Sequence, residues 1–254
     1  MELDKTIREN LDGDYLTIHV ENFKEGVEYA AQKKLQQIHL IGGRAKNVIV
    51  DFKELNKLSE TLQDISFIQD IGNVINFESI YNLKEMRKIY IHDKQKFTFD
   101  VSRFTKLQHL GGDYWNGLIN LDKAYSLTSL VICKYPFPNL VQFSALRNLE
   151  ILHIYGSKIQ NLDGVEKLSI RELSLARNNK LDDIHKINEV SSLENLEIEC
   201  CKKLLDFSFL KDNSYIEDLF IDKLDSIDFV ESMPNLKKIN FWNCKDGNMT
   251  PLLK

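Results

Sequence analysis

The chain has 254 residues, 43% hydrophobic and 28% charged, with 11 Gly and 4 Pro; this suits an ordered, soluble globular protein, disfavours a disordered one and allows a substantial buried core. The net charge of -5 and pI near 5.7 lack the basic footprint of a general nucleic-acid binder and leave a basic protein as the complementary partner. No apolar run approaches the ~18 residues needed to span a bilayer, and the charged start MELDKTIRENLDGDY has no apolar signal core, so a cytoplasmic protein with no membrane contact is expected.

In chain order, residues 1–34 read as an N-terminal cap with a first, degenerate repeat. Within it NFKEGVEYAAQKK carries Phe23, Val27, Ala30, Ala31 and Lys34 at helical spacing, which predicts a helix. GDYLTI from Gly13 is a weak copy of a hexad, L-x-x-L-x-L, that then recurs to the end. Its members are LQQIHL from Leu35, LQDISF from Leu62, MRKIYI from Met86, LQHLGG from Leu107 and LTSLVI from Leu127. They continue with LEILHI from Leu149, IRELSL from Ile170, LENLEI from Leu193, IEDLFI from Ile216 and LKKINF from Leu236. Successive starts lie 20 to 27 residues apart. Behind LEILHI, Ile159, Leu162, Val165 and Leu168 recur every third residue. Residues 247–254 are long enough only for a short C-terminal lid.

A period in the low twenties carrying this hexad resembles the leucine-rich repeat family, and the Ile159–Leu168 return resembles the internalin-like proteins of bacteria. The resemblance covers residues 13–254. It implies an α/β solenoid: a curved arc with a parallel concave sheet of about eleven short strands and convex 3₁₀ or helical returns. The whole chain reads as one domain, with repeats over 35–235 and the last strand and cap over 236–254. The family's turn Asn survives only as Asn178, with Cys201 and Cys244 as its alternatives; Gly43, Asp70, Lys94, Trp115, Tyr135, Ser157 and Leu224 stand there elsewhere. Backbone groups at those turns must therefore be satisfied by other means. Cys201 and Cys244 read as small buried residues about two strand spacings, ~10 Å, apart, too far for a disulfide.

If the hexad leucines point inward, the third, fifth and seventh positions point out onto the concave face. Five of the six histidines fall there: His19, His39, His92, His109 and His153. Tyr90 and Tyr155 accompany them, and these exposed rings are candidate contact residues. The histidines are out of step between strands, which opposes a metal site. Toward the C-terminus the face turns acidic, with Glu172, Glu197, Glu199, Asp218 and Asp222 beside Phe220 and Trp242. Glu199 and Asp222 share a column, so like charges are expected about 5 Å apart. The candidate partner-binding set is thus Tyr90, His92, His109, His153, Tyr155, Glu172, Glu197, Glu199, Asp218, Phe220, Asp222 and Trp242.

The chain carries no G-x-S-x-G, Walker-type or G-x-G-x-x-G motif, and no C-x-x-C pair among Cys133, Cys200, Cys201 and Cys244. No enzyme, cofactor or metal is expected. The expectation is a monomeric or weakly oligomeric protein-binding module for a basic protein partner, without nucleic acid. The candidate roles are a cytoplasmic inhibitor or immunity-type protein for a basic toxin or enzyme, a general scaffold or adaptor, and, less in keeping with the sequence, an exported adhesin.

Overall fold

The computed structural model describes residues 2–43 and 48–253; Met1 and Lys254 of the two expected caps lie outside them. The chain divides into two compact units, Met1–Leu127 and Thr128–Lys254.

Unit 1 opens with strands β1 (Ile7–Asn10) and β2 (Gly13–His19), followed by helix α1 (Phe23–Gln32) and β3 (Gln37–Ile41). Next come β4 (Ile49–Asp51), β5 (Asp64–Phe67), β6 (Asn73–Ile75) and β7 (Lys88–Ile91). The unit ends with β8 (Phe99–Asp100), β9 (His109–Asp113) and β10 (Leu118–Ile119). β2, β3, β5, β7 and β9 pair in parallel, in that order, and each is a hexad strand. The short strands β4 with β6 and β8 with β10 pair in parallel ahead of 3₁₀ turns.

The reason for this layout is the hexad's alternation. Leu16, Ile18, Ile38, Leu40, Ile65, Phe67, Ile89, Ile91 and Leu110 all point inward and are buried. Helix α1 lies where predicted and buries Phe23, Val27 and Ala30. Lys34 instead falls past the helix, in the left-handed conformation at φ 54°. Gly26 sits so close to β2 that a Cβ there would lie 2.6 Å from an Ile18 methyl, so helix and strand meet only because this position is glycine.

Two features of unit 1 are invisible in the repeat pattern. The interior behind the sheet is aromatic: Phe52, Phe67, Phe77, Phe97 and Phe99 are in mutual ring contact, and Tyr81, Phe104 and Trp115 extend the cluster. In addition β1 pairs antiparallel with β2, so the N-terminal segment is a hairpin turning at Leu11 and Asp12, with Asn10 opposite Gly13. Nothing in the polar segment Ile7–Asn10 marks a strand.

Unit 2 consists of β11 (Ser129–Cys133), β12 (Ile151–Tyr155), β13 (Glu172–Ala176), β14 (Asn195–Glu199), β15 (Asp218–Leu224) and β16 (Lys238–Cys244). They pair in parallel in sequence order, with 3₁₀ returns between them. Ile159, Leu162, Val165 and Leu168 are all buried, as their spacing predicts. Just past four successive strands the chain turns through a left-handed residue, Lys134, Gly156, Arg177 and Cys200, with φ between 53° and 58°. That corner aims the next residue inward, and Tyr135, Ser157, Asn178 and Cys201 are each buried.

The turn positions show how the missing Asn ladder is replaced. Fully buried Asn178 donates from Nδ2 to the Ile154 carbonyl (2.8 Å) and accepts from the Ser157 amide (2.9 Å) and hydroxyl (2.6 Å). In unit 1 the longer Gln95 fills this role: it donates to the carbonyls of Gln69 and Asp93 and accepts from the Ile71 amide. Trp115 donates its indole N–H to the Phe97 carbonyl. Cys201 is buried and its thiol, pushed up to about 11 chiefly by burial, donates to the Leu175 carbonyl. It is inert by that protonation. Cys244 is only half-buried, its thiol directed at Asp246.

Candidate functional site: the open face of each sheet

The face opposite the hexad leucines carries the third, fifth and seventh positions in register. In unit 2 the third-position row runs Ser129, Ile151, Glu172, Asn195, Asp218, Lys238, and the fifth-position row Val131, His153, Ser174, Glu197, Phe220, Asn240. Asn195 thus separates Glu172 from Asp218 by two strand spacings, about 10 Å, so no two carboxylates of these rows face each other directly. Lys238 pairs with Asp218 (Nζ to Oδ2, 2.9 Å). Glu172, Asn195, Glu197, Asp218, Phe220 and Lys238 line a shallow depression of about 320 Å³. The Phe220 and Trp242 rings meet edge to face at 5.4 Å, and Trp242 is 71% exposed.

A hydrogen-bonded chain runs across three strands beside this depression. His153 Nε2 lies 2.6 Å from Glu172 Oε1, and its Nδ1 3.1 Å from the Tyr155 hydroxyl. Tyr155 donates in turn to Ser174 Oγ at 3.4 Å, and Ser174 donates to Glu197 Oε2 at 3.0 Å. The Tyr155 hydroxyl is pushed above its ordinary value by burial first, and by the neighbouring carboxylates Glu197 and Glu172. It therefore remains a phenol and can serve as a donor. Two carboxylates of the acidic patch, Glu172 and Glu197, are in this way held in place by side chains of the neighbouring strands. Ser174 was absent from the candidate set, although register alone places it between His153 and Glu197.

Asp222 departs from the expectation. It is buried, at 6% exposure, and its Oδ2 accepts from the Cys200 amide at 2.9 Å. The ladder between β14 and β15 ends at Ile198 opposite Ile221, so the like-charged column of Glu199 and Asp222 does not form. The left-handed corner at Cys200 turns an amide toward Asp222, and the carboxylate caps it instead of facing solvent. Glu199 stays half-buried at the end of β14.

Unit 1 presents Tyr90, His92 and His109 on the same kind of face. Tyr90 is exposed, and its ring lies against Gly111, the residue opposite it on β9; a Cβ on Gly111 would approach that ring to 2.6 Å. His92 follows β7 and is exposed. His109 is held below the ordinary imidazole range by burial and then by Lys88, and His39 by burial and then by His92. His39 stacks on Tyr15 with centroids 4.2 Å apart. The structure gathers Glu172, Glu197 and Asp218 around Phe220 in unit 2 and leaves Glu199 and Asp222 out of that depression, whereas Tyr90, His92 and His109 lie in unit 1.

At the N-terminal end of this face two polar residues are buried where the alternation places them outside. Gln37 and Asp64, third positions of β3 and β5, are 4% and 6% exposed. The turn of the β1–β2 hairpin covers them. Asn10 donates to the Gln37 carboxamide oxygen (3.2 Å), and Asp12 forms an ion pair with Lys88 on β7.

No family model matches the chain, and no curated protein matches it. Solved structures do. A leucine-rich repeat protein of Leptospira interrogans superposes with a TM-score of 0.60 at 17% identity over 89% of this chain, which spans 60% of that protein. TLR13, solved in complex with ssRNA13, superposes at 0.62 and 16% identity over 89% of this chain, which spans 35% of it. Internalin C2 of Listeria monocytogenes gives 0.49 at 12% identity, covering 92% of this chain and 87% of its own. The hexad register, the parallel strands and the first two of these superpositions define the leucine-rich repeat fold. Among the described residues, no group of three or more His, Cys, Asp or Glu side chains is placed to hold a metal ion, and no helix is long and apolar enough to cross a membrane.

Proposed function

We propose that the chain is a non-enzymatic binding module that takes a basic protein on the open face of unit 2, acting as a cytoplasmic inhibitor or immunity-type protein that covers a basic toxin or enzyme. The observation that carries this reading is the depression in which Glu172, Glu197 and Asp218 gather around Phe220, with Lys238 as its one lining base and that base already paired with Asp218. An aromatic edge among carboxylates suits the aliphatic stem and charged head of a lysine or arginine. The same charge opposes phosphate, so a nucleic-acid ligand such as the ssRNA bound by TLR13 is the less favoured reading. An open sheet face has no water-excluded cleft in which a carboxylate could be tuned for acid–base chemistry, which supports a binding role over an enzymatic one.

The test is charge reversal. Glu197→Lys with Asp218→Lys should weaken binding of an arginine-rich peptide by about 30-fold or more while leaving the far-UV spectrum and unfolding midpoint near wild type. Wild-type binding should fall steeply between roughly 50 and 500 mM salt. Unchanged affinity in the double variant would refute the acidic site and leave Tyr90, His92 and His109 as the contact surface. A general scaffold would show salt-insensitive, apolar contacts instead.

A further inference from the structure

We propose that the tip of the β1–β2 hairpin, residues 10–13, is a strap across the open face of unit 1, fastened by Asp12 to Lys88, and that Asp64 beneath it takes Lys88 away and releases the strap when it becomes charged. This goes beyond the binding reading above and does not depend on it.

Four observations on separate elements meet here. The strap reaches over β3 and β5 to β7, since Asp12 contacts Lys88, 76 residues further along the chain, while Asn10 is tied to Gln37 on β3. Its outer surface is bare: β1 is exposed along its length, and Leu11 at the tip is fully exposed. A hairpin with one strand solvated on both faces belongs to the low-stability end of a fold. The fastener is an ion pair with both partners partly in water, which is a weak tie. Under it lies Asp64, more than nine-tenths buried, whose Oδ1 has no hydrogen-bond partner.

A buried carboxylate oxygen without a donor is tolerable only while the group is neutral. The titratable groups that act on Asp64 are Asp12 from the strap and Lys88 and Tyr90 from β7; on β3 its direct neighbour is the uncharged Gln37, while His39 pairs with Ser66 and His109 with Lys88. Burial pushes the Asp64 carboxyl up to about 6; Lys88 opposes that shift and Asp12 adds to it. Once ionised, Asp64 and Asp12 share a single ammonium, and the buried Asp64 gains more water by the strap's departure than the half-exposed Asp12. The closed form therefore binds the Asp64 proton more tightly than the open form. Closure is fully favoured below about pH 4, and opening grows as pH rises from there to about 6 and then levels off. Opening uncovers Gln37, Asp64 and Lys88 beside Tyr90, so the strap controls whether unit 1 offers a continuous polar face.

Amide hydrogen exchange on the whole chain, corrected for the intrinsic effect of pH, reads the strap directly. In the wild type the ratio of open to closed strap, measured at residues 8–13, should rise by up to about 100-fold between pH 4 and pH 7.5, with β7 and β9 protected throughout. Asp64→Asn should hold the strap protected and flat across that range, and Asp12→Asn, which removes a tie worth at most about fivefold, should raise strap opening by up to about fivefold at pH 4. Strap exchange that is independent of pH in the wild type overturns the proposal, and so does a pH dependence that survives in Asp64→Asn. If that variant fails to fold, the wild-type titration together with Asp12→Asn decides the matter.

Discussion

The two open faces obey the same alternation and treat their carboxylates in opposite ways. In unit 2 three acids of the third- and fifth-position rows are left partly in water and supported from the side: Glu172 by His153, Glu197 by Ser174, Asp218 by Lys238. In unit 1 one acid of an equivalent row, Asp64, lies beneath a hairpin and pairs poorly. The difference shows that a repeat fixes which way a side chain points but not what covers it. A supported, solvated carboxylate is available to a cationic partner, whereas a covered one couples its proton to the movement of its cover.

The turns provide the largest effect by which the contrast can be tested. Asn178→Ala removes three hydrogen bonds inside unit 2 and strands the Ile154 carbonyl and the Ser157 amide, at an expected cost of about 3 kcal/mol. Gln95→Ala in unit 1 should cost about 2 kcal/mol, since Gln95 makes equivalent but longer bonds at a less fully buried site. The two tryptophans separate the readouts. Trp115 is buried in unit 1 and Trp242 is exposed in unit 2, so single-Trp variants in denaturant report each unit independently. Equal losses at both probes for either substitution would show that the units unfold together and would dissolve the comparison.

An intermediate effect concerns Asp64. Its folded value lies above its unfolded one, so ionisation penalises the folded state above about pH 6 and the penalty is absent below about pH 4. Asp64→Asn should raise the stability of unit 1 by about 1 kcal/mol at pH 7.5 and leave it unchanged at pH 4. The gain is smaller than the full shift would give, because the wild type relieves part of the penalty by opening the strap. A larger gain would mean that the strap stays shut over a charged Asp64. The Trp115 transition at the two pH values is the measurement.

How much of this was legible in the residues follows from what a period encodes. Among the described residues the hexads locate the strands of the main parallel ladders, five in unit 1 and six in unit 2, and their register, because inward leucines at fixed spacing leave one way to stack; the short pairs β4–β6 and β8–β10 lie outside them. From the register follow the rows that bring Glu172, Glu197, Asp218 and Phe220 together. What escapes is whatever the period does not repeat. The β1 strand is polar, exposed and present once, so no pattern marks it, and with it goes the burial of Gln37 and Asp64. Asp222 sits within β15 beside the left-handed corner at Cys200 that ends β14, and it caps that corner's amide, so its burial is set by a neighbouring turn that the period does not announce. The aromatic interior of unit 1 is written in the loops, where Phe52, Phe77 and Phe97 stand outside any hexad.

The smallest effect tests whether the rings of unit 1 are placed by their neighbours as the acids of unit 2 are. Gly111 gives Tyr90 a flat floor. A methyl group there would meet only the ring's carbons, which can swing away, and Gly111 is not among the residues with positive φ. Gly111→Ala should therefore cost no more than about 0.5 kcal/mol while raising the Tyr90 ring into solvent, seen as a shift of its ring resonances and faster iodination. At adjacent Gly112 a Cβ would lie 1.9 Å from the Ile91 carbonyl oxygen, on a backbone at φ 136°, and neither can yield; Gly112→Ala is the reference for a glycine the fold itself requires. If Gly111→Ala leaves Tyr90 where it is, the ring is held by something other than its floor. Its position would then not be the counterpart of the supported carboxylates of unit 2.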